Sequence, residues 1–279
     1  MVTASALSPG SGKPVAYGDV HGLTDDVRDY HPMDSFGAEA ADDYDTVVRG
    51  DEAQTVAFLH ELARGGPALE LAIGTGRIGI PLAASGIRVD GIDQSPAMVA
   101  KLRAKPGGEA ISVTMGDFAD VPLEGKYRLV FLVYNTLFNL LTQDDQVRCF
   151  ENVARHLTPD GVFVVEALVP AFLFRLRDDQ YVDAERIATD EVRLDVGRHD
   201  PVAQRLDESH VVLTSQGLQL LPIVTRYAWP SELDLMARIA GLRLLDRWGG
   251  WEREPFTATS RNHVSVYGVR RQPPARLDY

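Results

Sequence analysis

Cysteine is almost missing from this chain. Cys149 is the only one among 279 residues, which rules out an intramolecular disulfide and a cysteine-built zinc centre. Basic charge is thin as well: 28 lysines and arginines face 40 acids and leave a formal charge of −12, with an isoelectric point near 5.0. That balance disfavours nucleic acid and anionic membrane surfaces, both of which are held by basic patches. No apolar stretch approaches the roughly 18 residues of a membrane-spanning helix, and no basic-then-apolar leader opens the sequence. The expectation is a soluble, cytoplasmic protein acting on a small or neutral molecule. No H-x-H, E-x-x-H or D-x-D group stands at the end of an apolar run, so no metal site is expected. A general base does not announce itself either. His156, His210 and His263 qualify by residue type alone, and the catalytic residue is left unassigned.

What the chain does have is apolar substance, 45% of its residues, enough for a sizeable core. Its length exceeds the usual single domain, but an α/β domain with an insertion reaches this size. The organising stretch is 67–84, PALELAIGTGRIGIPLAA. An apolar run closes on Glu70-Leu71-Ala72-Ile73, Gly74-Thr75-Gly76 turns the chain, and Ile78, Ile80, Leu82 and Ala83 continue at helical spacing. Strand, glycine turn and helix in that order bring bare backbone and unpartnered helix N–H groups up to a ligand. A second strand, 87–92, ends on Asp93, about 20 residues past the first glycine, where a nucleotide ribose is usually held. Asp90, in the middle of that strand, is expected near an edge or surface.

Two cofactor classes fit this stretch. Gly74-Thr75-Gly76-Arg77-Ile78-Gly79 spells G-x-G-x-x-G, the dinucleotide fingerprint, and implies an NAD(P)-dependent oxidoreductase. Against it stands Glu70, which would repel a pyrophosphate and welcome a cationic amino-acid end. Glu70-x-Ala72-x-Gly74-x-Gly76 resembles the acid-x-Gly-x-Gly-x-Gly motif of class I S-adenosylmethionine (SAM) methyltransferases, with Ala72 in place of the first glycine. Tyr44-Asp45 is similar to the tyrosine-aspartate pair that precedes the first strand in many small-molecule members. An aromatic face there attracts a sulfonium as it does other cations; packing of helix on sheet is the plainer role for Tyr44.

Along the chain, 1–37 is rich in Gly, Ser, Pro and Asp. Disorder is expected through about residue 15 and irregular structure beyond it. Residues 38–64 read as helical, with Gly50-Asp51 as a break. Ser95-Pro96 starts a helix as cap and first residue. A strand over 111–115 ends at Gly116-Asp117-Phe118, and the nearly continuous apolar run 127–134 predicts a central parallel strand buried on both faces. Val133, Tyr134 and Asn135 follow at its carboxyl end, where open α/β sheets bind ligands. A helix over 143–156, a turn at Pro159-Asp160-Gly161 and a strand over 162–166 come next; Glu166, at that strand's end, either holds a polar substrate or is exposed on a loop. The βα alternation then stops, and three extended segments around 192–196, 211–213 and 218–227 predict antiparallel hairpins. A helix over 230–240 and strands over 242–248 and 263–269 complete the pattern.

The predicted fold is therefore α/β, a doubly wound, mostly parallel seven-stranded sheet with an inserted antiparallel β region at about 171–227. Residues 38–279 form the domain, and 1–37 lie outside it. From Glu70 to Tyr267 the order resembles the class I SAM methyltransferases, bacterial small-molecule type. The resemblance implies Glu70, Ala72, Gly74 and Gly76 at the methionine end of SAM and Tyr44 beside its sulfonium. It places Asp93 at the ribose, Gln94 and Met98 beside the adenine, Asp117 and Phe118 at the adenine edge, and Val133 bordering the cofactor. Tyr134, Asn135, His210 and Tyr227 are the acceptor candidates, with the inserted hairpins as a lid or, alternatively, a homodimer contact. The implied activity is methyl transfer to an O, N or C nucleophile of a small molecule. A non-catalytic partner subunit with the same fold is the remaining alternative.

Overall fold

The computed structural model describes Tyr30, residues 35–46 and residues 49–270; the expectations for 1–29, for 31–34 and for Val47 and Val48 lie outside the described residues. The chain divides into two units, Met1–His31 and Pro32–Tyr279, and the second carries every element named below.

The helix expected over 38–64 is two helices, α1 (Ala38–Asp43) and α2 (Glu52–Ala63), with a 3-10 turn at Tyr44–Thr46 between them. Glu52 sets the break, because its carboxylate accepts the N–H groups of Arg49 at 3.1 Å and Gly50 at 2.9 Å and so tethers the entry to α2. After α2, the described alternation runs β1 (Ala68–Leu71), α3 (Gly79–Ala84), β2 (Val89–Asp93), α4 (Pro96–Ala104), β3 (Ser112–Met115), β4 (Tyr127–Leu132), α5 (Gln143–His156) and β5 (Leu157–Leu168). The Ser95 hydroxyl caps α4 by accepting the Met98 N–H at 3.2 Å, and Thr142 caps α5 through the Asp145 N–H. Then come four strands, β6 (Gln180–Ile187), β7 (Glu191–Asp200), β8 (Arg205–Thr214) and β9 (Gly217–Arg226), followed by α6 (Pro230–Ile239), β10 (Leu242–Trp248) and β11 (Asn262–Val269).

Seven strands form one sheet in the order β10-β11-β5-β4-β1-β2-β3. Pairing is parallel except at β11, which runs antiparallel to both β5 and β10. All residues of β1, β2 and β4 are buried, as strands covered on both faces must be. Alternate side chains feed two cores: Leu69, Leu71, Val130 and Leu132 pack with Phe150 and Val153 of α5 and Leu233 and Met236 of α6. Ala68, Leu129 and Phe131 pack with Phe58, Leu59 and Ala63 of α2 and Leu82 of α3. The chain order thus reverses beside β1, and the carboxyl ends of β1 and β4 flank the crevice where such sheets take ligands.

Three expectations are corrected here. The strand predicted over 162–166 runs from Leu157 to Leu168; the Pro159-Asp160-Gly161 turn is absorbed as an irregularity, with Tyr127 opposite Leu157 and Leu129 already opposite Val162. Asp90 is not near the surface but buried, and its Oδ2 accepts the Tyr127 hydroxyl at 3.0 Å. The hairpin region holds four strands rather than three extended segments, a separate antiparallel sheet in the order β6-β7-β8-β9.

Candidate functional site

The glycine turn is built from left-handed backbone. Ala72 has φ 53°, Gly74 φ 56° and Gly76 φ 76°, so the alanine at the first motif position adopts a conformation that glycine takes more cheaply. A Cβ on Gly74 would meet nothing closer than the Ala72 carbonyl at 4.0 Å, so this backbone faces open space. One on Gly76 would press on Ile80 at 2.9 Å and Leu102 at 3.1 Å. At Gly79 the need is close packing: a Cβ there would stand 2.6 Å from the Glu70 Oε2 and 2.9 Å from Ile73. The third glycine of the apparent dinucleotide fingerprint is there to admit an acid.

Two carboxylates meet at this turn. Asp93 accepts the Gly74 N–H at 2.7 Å on Oδ2 and the Ser95 N–H at 2.7 Å on Oδ1. Burial pushes its carboxyl up, and the hydrogen bonds from Ser95 and Gly74 hold part of that rise back. Glu70 is 3% exposed and its Oε2 makes no well-formed hydrogen bond. Burial first, and the neighbouring Asp93 charge second, raise it well above the ordinary carboxyl value, and the adjacent Gly79 N–H offsets only part of that rise. A buried acid with such an oxygen is costly unless a cation meets it.

Tyr44 and Asp45 are pinned onto the same turn. Thr75 Oγ1 donates to Asp45 Oδ1 at 2.7 Å, and Lys105 Nζ reaches Asp45 Oδ2 at 2.7 Å. The Arg77 guanidinium lies 5.0 Å from the Tyr44 ring centre and 5.8 Å from that of Tyr134. Burial raises the Tyr44 phenol, whose other charged neighbours are Arg49, Arg77, Glu70 and Asp93. The structure therefore brings Tyr44, Glu70, Gly74, Asp93 and Tyr134 around one turn.

The other candidates occupy graded positions. Gln94 is half-buried directly after Asp93, and Met98 is buried in the first turn of α4. Asp117 Oδ1 accepts the Ala119 N–H at 2.8 Å and its Oδ2 faces Arg148 at 3.7 Å, while the Phe118 side chain joins the α5 core. Val133 is buried against the α2 core. Tyr134 and Asn135 follow in successive left-handed conformations, φ 58° and 60°. Tyr134 donates its N–H to Glu166 Oε2 at 2.7 Å, and Asn135 Oδ1 accepts the Leu168 N–H at 2.6 Å. Glu166, for which loop exposure was one expectation, is buried, and burial raises its carboxyl.

His210 and Tyr227 have different company. Tyr227 is 1% exposed and its hydroxyl bonds His199 Nε2 at 2.9 Å. His210 pairs with Asp195, its cross-strand partner, and that hydrogen bond raises the imidazole above its ordinary value. Glu185 joins them, all three offering ligand atoms within 4.8 Å of one another; three separate strands supply the group, so no sequence spacing announced it. His263 is buried beside Ser265, and burial pushes its imidazole down to about 3. His156 bridges the Asn152 and Leu123 carbonyls.

A family model described as a methyltransferase domain matches residues 68–161. The structure of the CcbJ methyltransferase from Streptomyces caelestis is 40% identical in sequence and superposes with a TM-score of 0.80, over 85% of this chain and 98% of that one. The chain belongs to the class I SAM-dependent methyltransferases. A cypemycin N-terminal methyltransferase from Streptomyces is 28% identical over 207 residues, 74% of this chain and 84% of the relative. A dTDP-3-amino-3,6-dideoxy-alpha-D-glucopyranose N,N-dimethyltransferase from Streptomyces fradiae is 30% identical over 143 residues, 48% of this chain and 55% of that protein. The cofactor of this methyltransferase is SAM, and the residues present suit it: the buried Glu70 oxygen would answer an ammonium, and the open Gly74 face would admit a ligand against the backbone. No helix among the described residues is long and apolar enough to cross a membrane.

Sequence reasoning missed Arg77 and Arg49, and it left the burial of Glu166 open. Arg77 lay inside the motif, masked by reading only its glycines. Arg49, whose guanidinium lies 4.2 Å from the Tyr134 ring centre, carried no local signal.

Proposed function

We propose that this methyltransferase places the methyl group on an amine nitrogen of a small acceptor carrying a sugar-like or peptide-like frame. Two relatives support the nitrogen: one is named for a peptide N-terminus and one for an amino sugar. An amine brings its own lone pair, so the chain needs no dedicated base. Positioning and exclusion of water then carry much of the rate.

In this reading Glu70, Ala72, Gly74 and Gly76 hold the methionine end of SAM, with Tyr44 beside the sulfonium and Asp93 on the ribose hydroxyls. Gln94, Met98, Asp117 and Phe118 take the adenine, and Val133 borders the cofactor. When bound, SAM supplies an electrophilic methyl on a sulfonium. Tyr134 and Asn135 orient the acceptor, and the β6–β9 sheet governs which acceptor enters through the face that carries Leu194 and Val211, His210 lying on the other face. The observation that carries the cofactor assignment is the buried Glu70 oxygen without a well-formed hydrogen bond, next to Asp93.

Calorimetric titration with S-adenosylhomocysteine and with NAD tests the site: saturable binding of the first alone is expected, and Glu70→Gln should weaken it. Release of S-adenosylhomocysteine is then followed with amino-sugar nucleotides and short peptides, each beside an analogue with hydroxyl in place of amine. Turnover only with the hydroxyl members would overturn the amine assignment. Cofactor binding without turnover on any acceptor would favour a non-catalytic subunit.

A further inference from the structure

A tyrosine held at positive φ is uncommon, and two such residues in succession are more so. Tyr134 and Asn135 form such a pair at the carboxyl end of the central strand β4. Backbone in this state persists only where its surroundings over-determine it, and it concentrates at working sites. Here both restraints come from the end of β5. Glu166 Oε2 takes the Tyr134 N–H at 2.7 Å, and the Leu168 N–H is bound by Asn135 Oδ1 at 2.6 Å.

Glu166 is an expensive choice for that task. It is 9% exposed, on a strand whose neighbours Val164, Val165 and Ala167 are all apolar core. Sheet stability alone would be served by another apolar residue, since a buried carboxylate costs more than its hydrogen bond returns unless it is well compensated. What it secures is the orientation of Tyr134. The ring itself meets the Arg49 guanidinium at 4.2 Å and that of Arg77 at 5.8 Å from its centre. Its hydroxyl is buried and has no hydrogen-bond partner among the described residues. A buried hydroxyl left without a partner is itself a cost, which a ligand's polar atom removes.

We propose that Glu166 is a positioning residue for methyl transfer: through the Tyr134 N–H its carboxylate fixes the left-handed pair and thereby aims the Tyr134 hydroxyl at the acceptor nitrogen. The inference rests on the acceptor reading given above for Tyr134, and its first test does not need the acceptor.

Fluorine NMR of the full chain labelled with 3-fluorotyrosine reports each ring separately, and the resonance lost in Tyr134→Phe identifies Tyr134. With S-adenosylhomocysteine bound, Glu166→Ala should shift and broaden that resonance while the S-adenosylhomocysteine Kd stays within about twofold. Glu166→Gln, which keeps an acceptor oxygen, should restore the wild-type position. On an amine acceptor turned over by the wild type, Glu166→Ala should lower kcat by at least tenfold and Glu166→Gln by less than about threefold. A Tyr134 resonance unmoved in Glu166→Ala would overturn the proposal. So would equal damage in the Ala and Gln variants, or a loss of cofactor affinity matching the loss of rate. Absence of turnover by the wild type on every amine defeats the acceptor reading instead and leaves the NMR comparison to decide the role of Glu166.

Discussion

Asp90 and Asp93 sit three positions apart on one strand, and their surroundings assign them different work. Asp93 lies at the crevice and holds the Gly74 and Ser95 N–H groups, with lone pairs left for two ribose hydroxyls. Charge-assisted bonds of that kind contribute roughly 1.5–3 kcal/mol each. Asp93→Ala is therefore expected to weaken S-adenosylhomocysteine binding by about 2–3 kcal/mol, roughly 30- to 150-fold. Asp90 is turned into the protein, bonded to the Tyr127 hydroxyl and to Arg88 at 2.8 Å. Asp90→Ala leaves a buried phenol unpaired and should lower stability by about 1–3 kcal/mol with cofactor affinity unchanged. Calorimetry and thermal melts on the two variants separate these outcomes; equal losses of affinity would show the ribose site to be misassigned.

At the scale of elements, strand β1, its glycine turn and β2 are the part most legible in the sequence, because every device in them is local: an apolar run, glycines at left-handed positions, and an acid ending each strand. What they cost is visible only in the fold. Glu70 holds its proton more tightly in the folded chain than in the unfolded one, owing to burial and then to Asp93. Its contribution therefore favours folding in acid, is complete below its unfolded value near 4.5, and is lost as the pH climbs through the raised folded value. Glu70→Gln removes that dependence. The melting temperature of the wild type should fall relative to the variant as the pH rises above about 4.5, and a difference that stays constant with pH would mean that Glu70 is not held as a buried acid. Other elements hid for physical reasons. Strand β6 carries Asp183, Glu185 and Arg186 on an exposed edge and has no apolar alternation to read. Pro159-Asp160-Gly161 is a standard turn signal that the β4–β5 pairing absorbs. Glu166 is buried where it meets the Tyr134 N–H, 32 residues away in the chain, a pairing that no local pattern contains.

On the whole molecule, the motifs shared with SAM enzymes lie on the seven-stranded sheet, and the four-stranded sheet is the added part. It leaves from the carboxyl end of β5 and returns at α6, and β9 packs against the segment Thr136–Asn139 that follows Tyr134 and Asn135. Its register gathers apolar side chains on one face: Leu194, Val211 and Leu220 stand in one row, Val192, Leu213 and Leu218 in the next. Leu218 and Leu220 are 60% and 57% exposed. Added segments over a rigid scaffold commonly set specificity, and the apolar parts of the sugar-like or peptide-like acceptor would rest on such a face. Leu194→Asp combined with Leu220→Asp is therefore expected to raise the acceptor KM at least tenfold while S-adenosylhomocysteine affinity and the sedimentation coefficient stay unchanged. A dimer contact predicts the reverse. A fall in sedimentation coefficient with acceptor kinetics intact would assign this face to a second copy of the chain and remove it from acceptor recognition, leaving Tyr134 and Asn135 to carry selectivity from the scaffold itself.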